Sequence, residues 1–192
     1  MTSPVRIAIF ASGAGSNARK IIDHFKERED IAVALIVCNN PNAPIISIAA
    51  AENIPVLLIN KASFNATAYI NELKGYKINL IVLAGFLWQL PALLIKEYPG
   101  RIVNIHPALL PSHGGKGMYG RFVHEAVSKS GAAQTGITIH LVDEEYDHGR
   151  TLFQATCPID REDTPLAIAD KVRSLEHAHY PAIIECLIEQ AL

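Results

Sequence analysis

Continuous apolar runs alternating with stretches of helical periodicity constrain this chain more than any other feature. VRIAIFA at 5–11, IAVALIVC at 31–38, NLIVLA at 79–84 and RIVNIH at 101–106 are short and rich in β-branched residues. They lack the regular polar/apolar alternation of a strand with one wet face. Strands of this kind are buried on both faces, which is the condition of a parallel sheet covered by helices. The intervening segments supply those helices. Ser16 can cap a helix through Phe25, in which Ile21, Ile22 and Phe25 share a face. Further helices are predicted near 45–52, from an N-cap at Ser63 to about Lys74, from Pro91 onward, and near 122–129. A long final helix starts at Asp163 or Thr164 with Pro165 in its first turn and runs almost to Leu192. Strands are also predicted at 56–59, 135–142 and 151–157, the last two joined only by a loop and therefore antiparallel.

The expected fold class is α/β: a mostly parallel twisted sheet with helices on both faces. At 192 residues with 49% hydrophobic side chains, the chain can bury a sizeable core, and 1–192 reads as a single domain. Seventeen basic against nineteen acidic residues give a net charge of −2, without the basic excess that phosphate-backbone binding needs, so no nucleic-acid partner is expected. Cys38, Cys157 and Cys186 are widely spaced, odd in number and without a CxxC, which argues against a disulfide framework or a cysteine metal site. No run reaches membrane-spanning length and the first residues do not resemble a signal peptide, so a cytoplasmic protein is expected.

Three segments can carry chemistry. In SGAGSN at 12–17, glycines permit close backbone approach, and the helix start that follows presents N–H groups to an anion. A plain strand-to-helix turn reads the same way. A dinucleotide fingerprint would want glycine where Asn17 stands and an acidic residue where the second strand ends in Cys38-Asn39-Asn40, so a nicotinamide cofactor is disfavoured. In Asn104-Ile105-His106-Pro107, the strand period puts Asn104 and His106 on one side at a carboxyl end, where ligands bind in open α/β sheets. An amide donor beside a titratable imidazole suits a reaction that makes an oxyanion and moves protons, although a buried polar pair satisfied by backbone fits the same residues. In DEEYDHG at 143–149, four carboxylates in five positions form either a solvated turn or a partner for an imidazole. A carboxylate beside His106 would favour its charged form and raise its pKa. In Glu176-His177-Ala178-His179 the spacing does not converge on one helix face, so no metal is expected.

Taken together, SGAGSN at 12–17, AGFLWQLP at 84–91, GRIVNIHPALLP at 100–111, DEEYDHG at 143–149 and LEHAHYP at 175–181 resemble the glycinamide ribonucleotide formyltransferase family, the folate-dependent enzymes of purine synthesis. The resemblance implies the formyltransferase fold, with a Rossmann-like N-terminal half. It also implies a catalytic trio of Asn104, His106 and Asp147, thereby selecting one carboxylate of the acidic loop. It implies phosphate binding by Gly15, Ser16 and Asn17, ribose contact by Glu176, and a folate pocket at Leu87, Trp88, Gln89 and Leu90 with Asn104. Arg173 stands near a glutamine of relatives and is expected to aid phosphate binding. The chain departs from the family pattern at Trp88, where many relatives carry arginine, at Ala108, where serine is common, and in the longer GGKGMYGRFVHEAV segment.

The reaction so implied is transfer of a formyl group from 10-formyltetrahydrofolate, the co-substrate, to the amine of glycinamide ribonucleotide by a monomer or homodimer, without metal or membrane. The amine attacks directly, because the trio holds no serine or cysteine nucleophile. Asn104 and a protonated His106 stabilise the oxyanion, His106 moves a proton to the departing folate nitrogen, and Asp147 keeps His106 charged. Transfer to methionyl-tRNA or an amino sugar, and hydrolysis of formyl folate, share a similar core. Length and charge disfavour the first two, and the residues leave hydrolysis open.

Overall fold

The computed structural model describes residues 3–64 and 67–191. In chain order the elements are β1 (Val5–Ala11), α1 (Ser16–Phe25), β2 (Ile31–Cys38), α2 (Ile45–Ala51), β3 (Val56–Leu58), α3 (Lys61–Phe64) and α4 (Thr67–Gly75). They continue as β4 (Leu80–Leu83), α5 (Ala92–Glu97), β5 (Ile102–His106), α6 (Arg121–Ser130), β6 (Gln134–Leu141), β7 (Thr151–Pro158) and α7 (Pro165–Ala191). The strands take the order β3-β2-β1-β4-β5-β6-β7 in a seven-stranded sheet. This is the expected α/β class. Contacts group the chain into two compact units, Met1–Val103 with Cys186–Leu192, and Asn104–Glu185, the division falling inside β5.

In the first unit β1 pairs in parallel with β2 and β4, and β2 with β3. Ile7 through Ala11 and Leu80 through Leu83 are buried without a break, so both faces of these strands are covered, as continuous apolar runs require. Helix α1 contributes Ile21, Ile22 and Phe25 to that cover. In the second unit β6 and β7 pair antiparallel, from Gln134 opposite Pro158 to His140 opposite Thr151. Strand β7 alternates half-buried and exposed residues, the pattern of a strand with one wet face.

Helix starts differ from the sequence expectation in instructive ways. Gly15, in the left-handed region at φ 75°, is the N-cap of α1, and Ser16 is its first residue. The expected helix from Ser63 is instead α3 followed by α4, with 65–66 outside the described residues. Asn60 starts α3: its Oδ1 accepts the Ser63 N–H at 2.9 Å and the Ser63 hydroxyl accepts the Asn60 N–H at 3.0 Å, a reciprocal cap. At α7 the choice falls on Thr164, whose Oγ1 accepts the Ala167 N–H at 3.2 Å. Asp163 turns instead to Lys171.

Gly136 in β6 shows how closely that hairpin is packed. A Cβ built there would fall on the carbonyl oxygen of Ala155 in β7 and 2.9 Å from the Leu109 side chain. Gly136→Ala is expected to cost about 1–3 kcal/mol by forcing apart a ladder that cannot yield at one point. A urea unfolding midpoint equal to that of the parent chain would contradict this.

Candidate active site

The first unit supplies two neighbouring loops. Residues 12–15 leave the carboxyl end of β1, and 84–90 leave that of the adjacent strand β4. They are clasped by the Ser12 N–H donating to the Gly85 carbonyl at 3.2 Å and the Leu87 N–H donating to the Ser12 hydroxyl at 3.1 Å. Gly15 offers no side chain to cap α1, so the first-turn N–H groups at Ser16 and Asn17 begin a ten-residue helix without a side-chain acceptor from the cap. A side chain at Gly15 would meet Ile45 Cδ1 at 2.7 Å in a backbone region that disfavours one. In the second loop Leu87 and Gln89 are exposed, Leu90 is buried and Trp88 is half-buried. The Trp88 ring packs against Phe64 and Phe86, with centroids 5.7 and 6.3 Å away, and Phe10 and Tyr69 extend the cluster.

The second unit gathers the proposed trio. Asn104 and His106 lie two residues apart at the end of β5, with Ile105 buried between them. Asp147, at φ 54°, comes from the acidic loop and sets Oδ2 3.5 Å from His106 Nδ1. A fourth side chain, unmarked by any reading of the motifs, joins them. His140, the penultimate residue of β6, is 2% exposed and lies with Nε2 3.1 Å from Asn104 Nδ2 and 3.7 Å from Asp147 Oδ1. Its Nδ1 is 2.9 Å from the Leu141 carbonyl, which can only accept, so Nδ1 carries a proton. In the neutral ring Nε2 is then an acceptor, and Asn104 donates one amide N–H to it. The signal available was that TIH at 138–140 sets a histidine beside the end of a buried strand, much as NIH does at 104–106.

The electrostatics reverse one expectation. Burial lowers the pKa of His106 below its ordinary value, while Asp147 and the His113 carbonyl pull it upward without overcoming the desolvation. The resting imidazole is therefore neutral, not held in the charged form. Burial pushes the Asp147 carboxyl up, but His140, His106 and the Gly115 N–H together hold it below the usual carboxylate value, and it is ionised.

Glu176 and Arg173, three residues apart on α7, lie on neighbouring positions of that helix. Arg173 is exposed and paired with Asp170 at 2.9 Å. Among the described residues no group of three or more His, Cys, Asp or Glu side chains is arranged to hold a metal ion. No described helix is long and apolar enough to cross a membrane.

An α/β chain carrying Asn, His and Asp together at the end of a strand has well-defined relatives. The profile of a family described as formyl transferase matches residues 5–184. The chain is 39% identical to the chloroplastic phosphoribosylglycinamide formyltransferase of Arabidopsis thaliana, over 97% of its own length and 66% of the relative's. It thus spans just under two thirds of that protein. It is 37% identical to phosphoribosylglycinamide formyltransferase of Bacillus subtilis (strain 168), over 95% of this chain and 94% of that one. The solved phosphoribosylglycinamide formyltransferase of Anaplasma phagocytophilum superposes with a TM-score of 0.89 at 29% identity, over 98% and 89% of the two chains. The chain belongs to the formyl transferase family.

Burial makes this site sensitive to acid. The pKa of His124 is lowered too, by desolvation first and then by Arg173 and His106. For both histidines the unfolded chain takes up its proton first. The stability tied to their neutral forms is full above about pH 6.5 and is lost as the pH falls toward the folded-state values. The exposed His148, whose pKa is raised by Asp143, works in the opposite sense, and solvent screening keeps that pair weak. The urea midpoint is expected to drop between about pH 7.5 and about pH 5.5, and to drop less in His124→Leu. An unchanged midpoint would show that these rings are not desolvated in solution.

Proposed function

We propose that this chain transfers the formyl group of 10-formyltetrahydrofolate to the amine of glycinamide ribonucleotide, giving formylglycinamide ribonucleotide and tetrahydrofolate. One observation carries the reading: Asn104, His106 and Asp147 meet at the end of β5 in a chain whose relatives are phosphoribosylglycinamide formyltransferases. A single family profile running over 5–184 supports treating 1–192 as one catalytic domain.

The neutral His106 changes the order of proton movements from that expected of a charged ring. The amine nitrogen attacks the formyl carbon and the new C–N bond forms. The carbonyl oxygen becomes an oxyanion and takes the Asn104 N–H not given to His140. His106 Nδ1 accepts the proton released by the attacking amine, and the ionised Asp147 beside it stabilises the imidazolium as it appears. Collapse of the intermediate breaks the bond to the folate nitrogen, which receives that proton. The barrier is lowered by orientation and by preorganised donors, with no covalent enzyme intermediate.

Gly15, Ser16 and Asn17 are assigned to the ribonucleotide phosphate, supported by the start of α1, whose glycine N-cap brings no side chain, and by its positive end. Arg173 adds charge if it leaves Asp170 for the phosphate, and Glu176 takes the ribose. Leu87, Trp88, Gln89 and Leu90, with Asn104, are assigned to the folate. We read the protein as cytoplasmic, monomeric or a homodimer, and without a nucleic-acid partner, in keeping with its net charge of −2.

A spectrophotometric assay with 10-formyl-5,8-dideazafolate, run with and without glycinamide ribonucleotide, tests the reading. Turnover is expected only with the ribonucleotide. Asn104→Ala and His106→Ala should each lose about 10²-fold or more in kcat with little change in KM. Deformylation without an acceptor would replace the transferase by a hydrolase, and near-normal turnover in both variants would remove the trio from the chemistry.

A further inference from the structure

We propose that the backbone of residues 113–115, at the start of the long glycine-rich segment, is a positioning element that dictates which nitrogen of His106 does the chemistry. The proposal deepens the transferase reading and rests on it for its kinetic part alone.

Two backbone groups two residues apart grip the two catalytic groups in opposite ways. The His113 carbonyl oxygen lies 2.8 Å from His106 Nε2. A carbonyl can only accept, so Nε2 keeps its proton whether the ring is neutral or charged. The proton that comes and goes is therefore on Nδ1, the nitrogen that faces Asp147 Oδ2 at 3.5 Å. The Gly115 N–H donates to that same Oδ2 at 2.8 Å, fixing the carboxylate across from Nδ1. The loop thus sets the tautomer of one group and the direction of the other.

The sequence between the two grips has to be very small. A Cβ on Gly114 would lie 2.5 Å from the Leu110 Cδ2, 3.3 Å from Asp147 Cβ and 3.7 Å from Asp147 Oδ2. The end of the leucine can swing aside, whereas Asp147 is held by its own backbone and by three polar neighbours. His113 and Gly115 both have positive φ, 56° and 96°, so the carbonyl and the N–H are turned inward by a backbone course that ordinary residues resist. The contact made by His113 is through its carbonyl.

Spectra of the full chain labelled with ¹⁵N-histidine read the tautomer directly. Long-range ¹H–¹⁵N correlations distinguish Nε2–H from Nδ1–H, and His106 is assigned by the signal lost in His106→Gln. In the parent chain at about pH 8, His106 is expected as the Nε2–H form alone. Gly114→Ala is expected to show a mixture of tautomers and to lose on the order of 10²-fold in kcat, with KM for both substrates little changed. Leu110→Ala/Gly114→Ala, relieved of the leucine contact, is the second variant should the first fail to fold. An Nδ1–H or mixed ring in the parent chain would overturn the proposal whatever the activity. So would a pure Nε2–H ring in either variant accompanied by parent-like kcat, or by a loss in KM alone. Absence of formyl transfer in the parent chain would sink the transferase reading and leave the tautomer result standing by itself.

Discussion

A neutral imidazole and an ionised carboxylate, 3.5 Å apart and mostly removed from water, make demands on everything around them. Desolvation alone would drive the carboxyl toward its protonated form, and an isolated buried charge is costly. The second unit answers with the Gly115 N–H, which donates to Oδ2, and sets the neutral His140 ring beside the pair as the acceptor for Asn104. His140 must then be held in turn, which the Leu141 carbonyl does through Nδ1. Each group in the chain Leu141, His140, Asn104 has its orientation decided by the one before it. The direction of the Asn104 amide is thereby set two groups away, at the Leu141 carbonyl.

That arrangement explains why a site of this kind sits at a strand end rather than within a flexible loop. Asn104 and His106 inherit their separation from the pleat of β5, and His140 inherits its depth from β6. Only Asp147 and residues 113–115 come from loops. Those loops are tied down by the groups they contact, so the geometry of the site and the order of its loops support each other. Removing the carboxylate would release Gly115 as well as the proton partner.

Much of this was legible from residues alone, for identifiable reasons. β1 and β2 were bounded to the residue, because uninterrupted β-branched runs between turn signals admit few other readings. Asn104 and His106 stood out because strand period alone puts them on one side. Helix caps were harder, since Ser63 fits both the cap itself and the third residue of a reciprocal cap begun at Asn60. Asp147 could not be told from Asp143, Glu144 or Glu145 by composition, and only family resemblance singled it out. His140 and the 113–115 backbone stayed hidden for a different reason: their roles are contacts, at separations of 7 to 36 residues, that no local periodicity marks. The sign of the His106 shift is not legible in the residues, because a neighbouring charge is visible in a sequence and burial is not.

The loop after β4 carries a further property. Trp88 is the chain's only tryptophan, and it is packed edge-on against Phe64 and Phe86 in a cluster reached by Tyr69. All indole emission from this protein therefore originates in the segment assigned to the folate, half shielded by aromatic neighbours. The molecule carries its own optical reporter there, without a label, and any shift in the polarity around that ring is a shift in that loop.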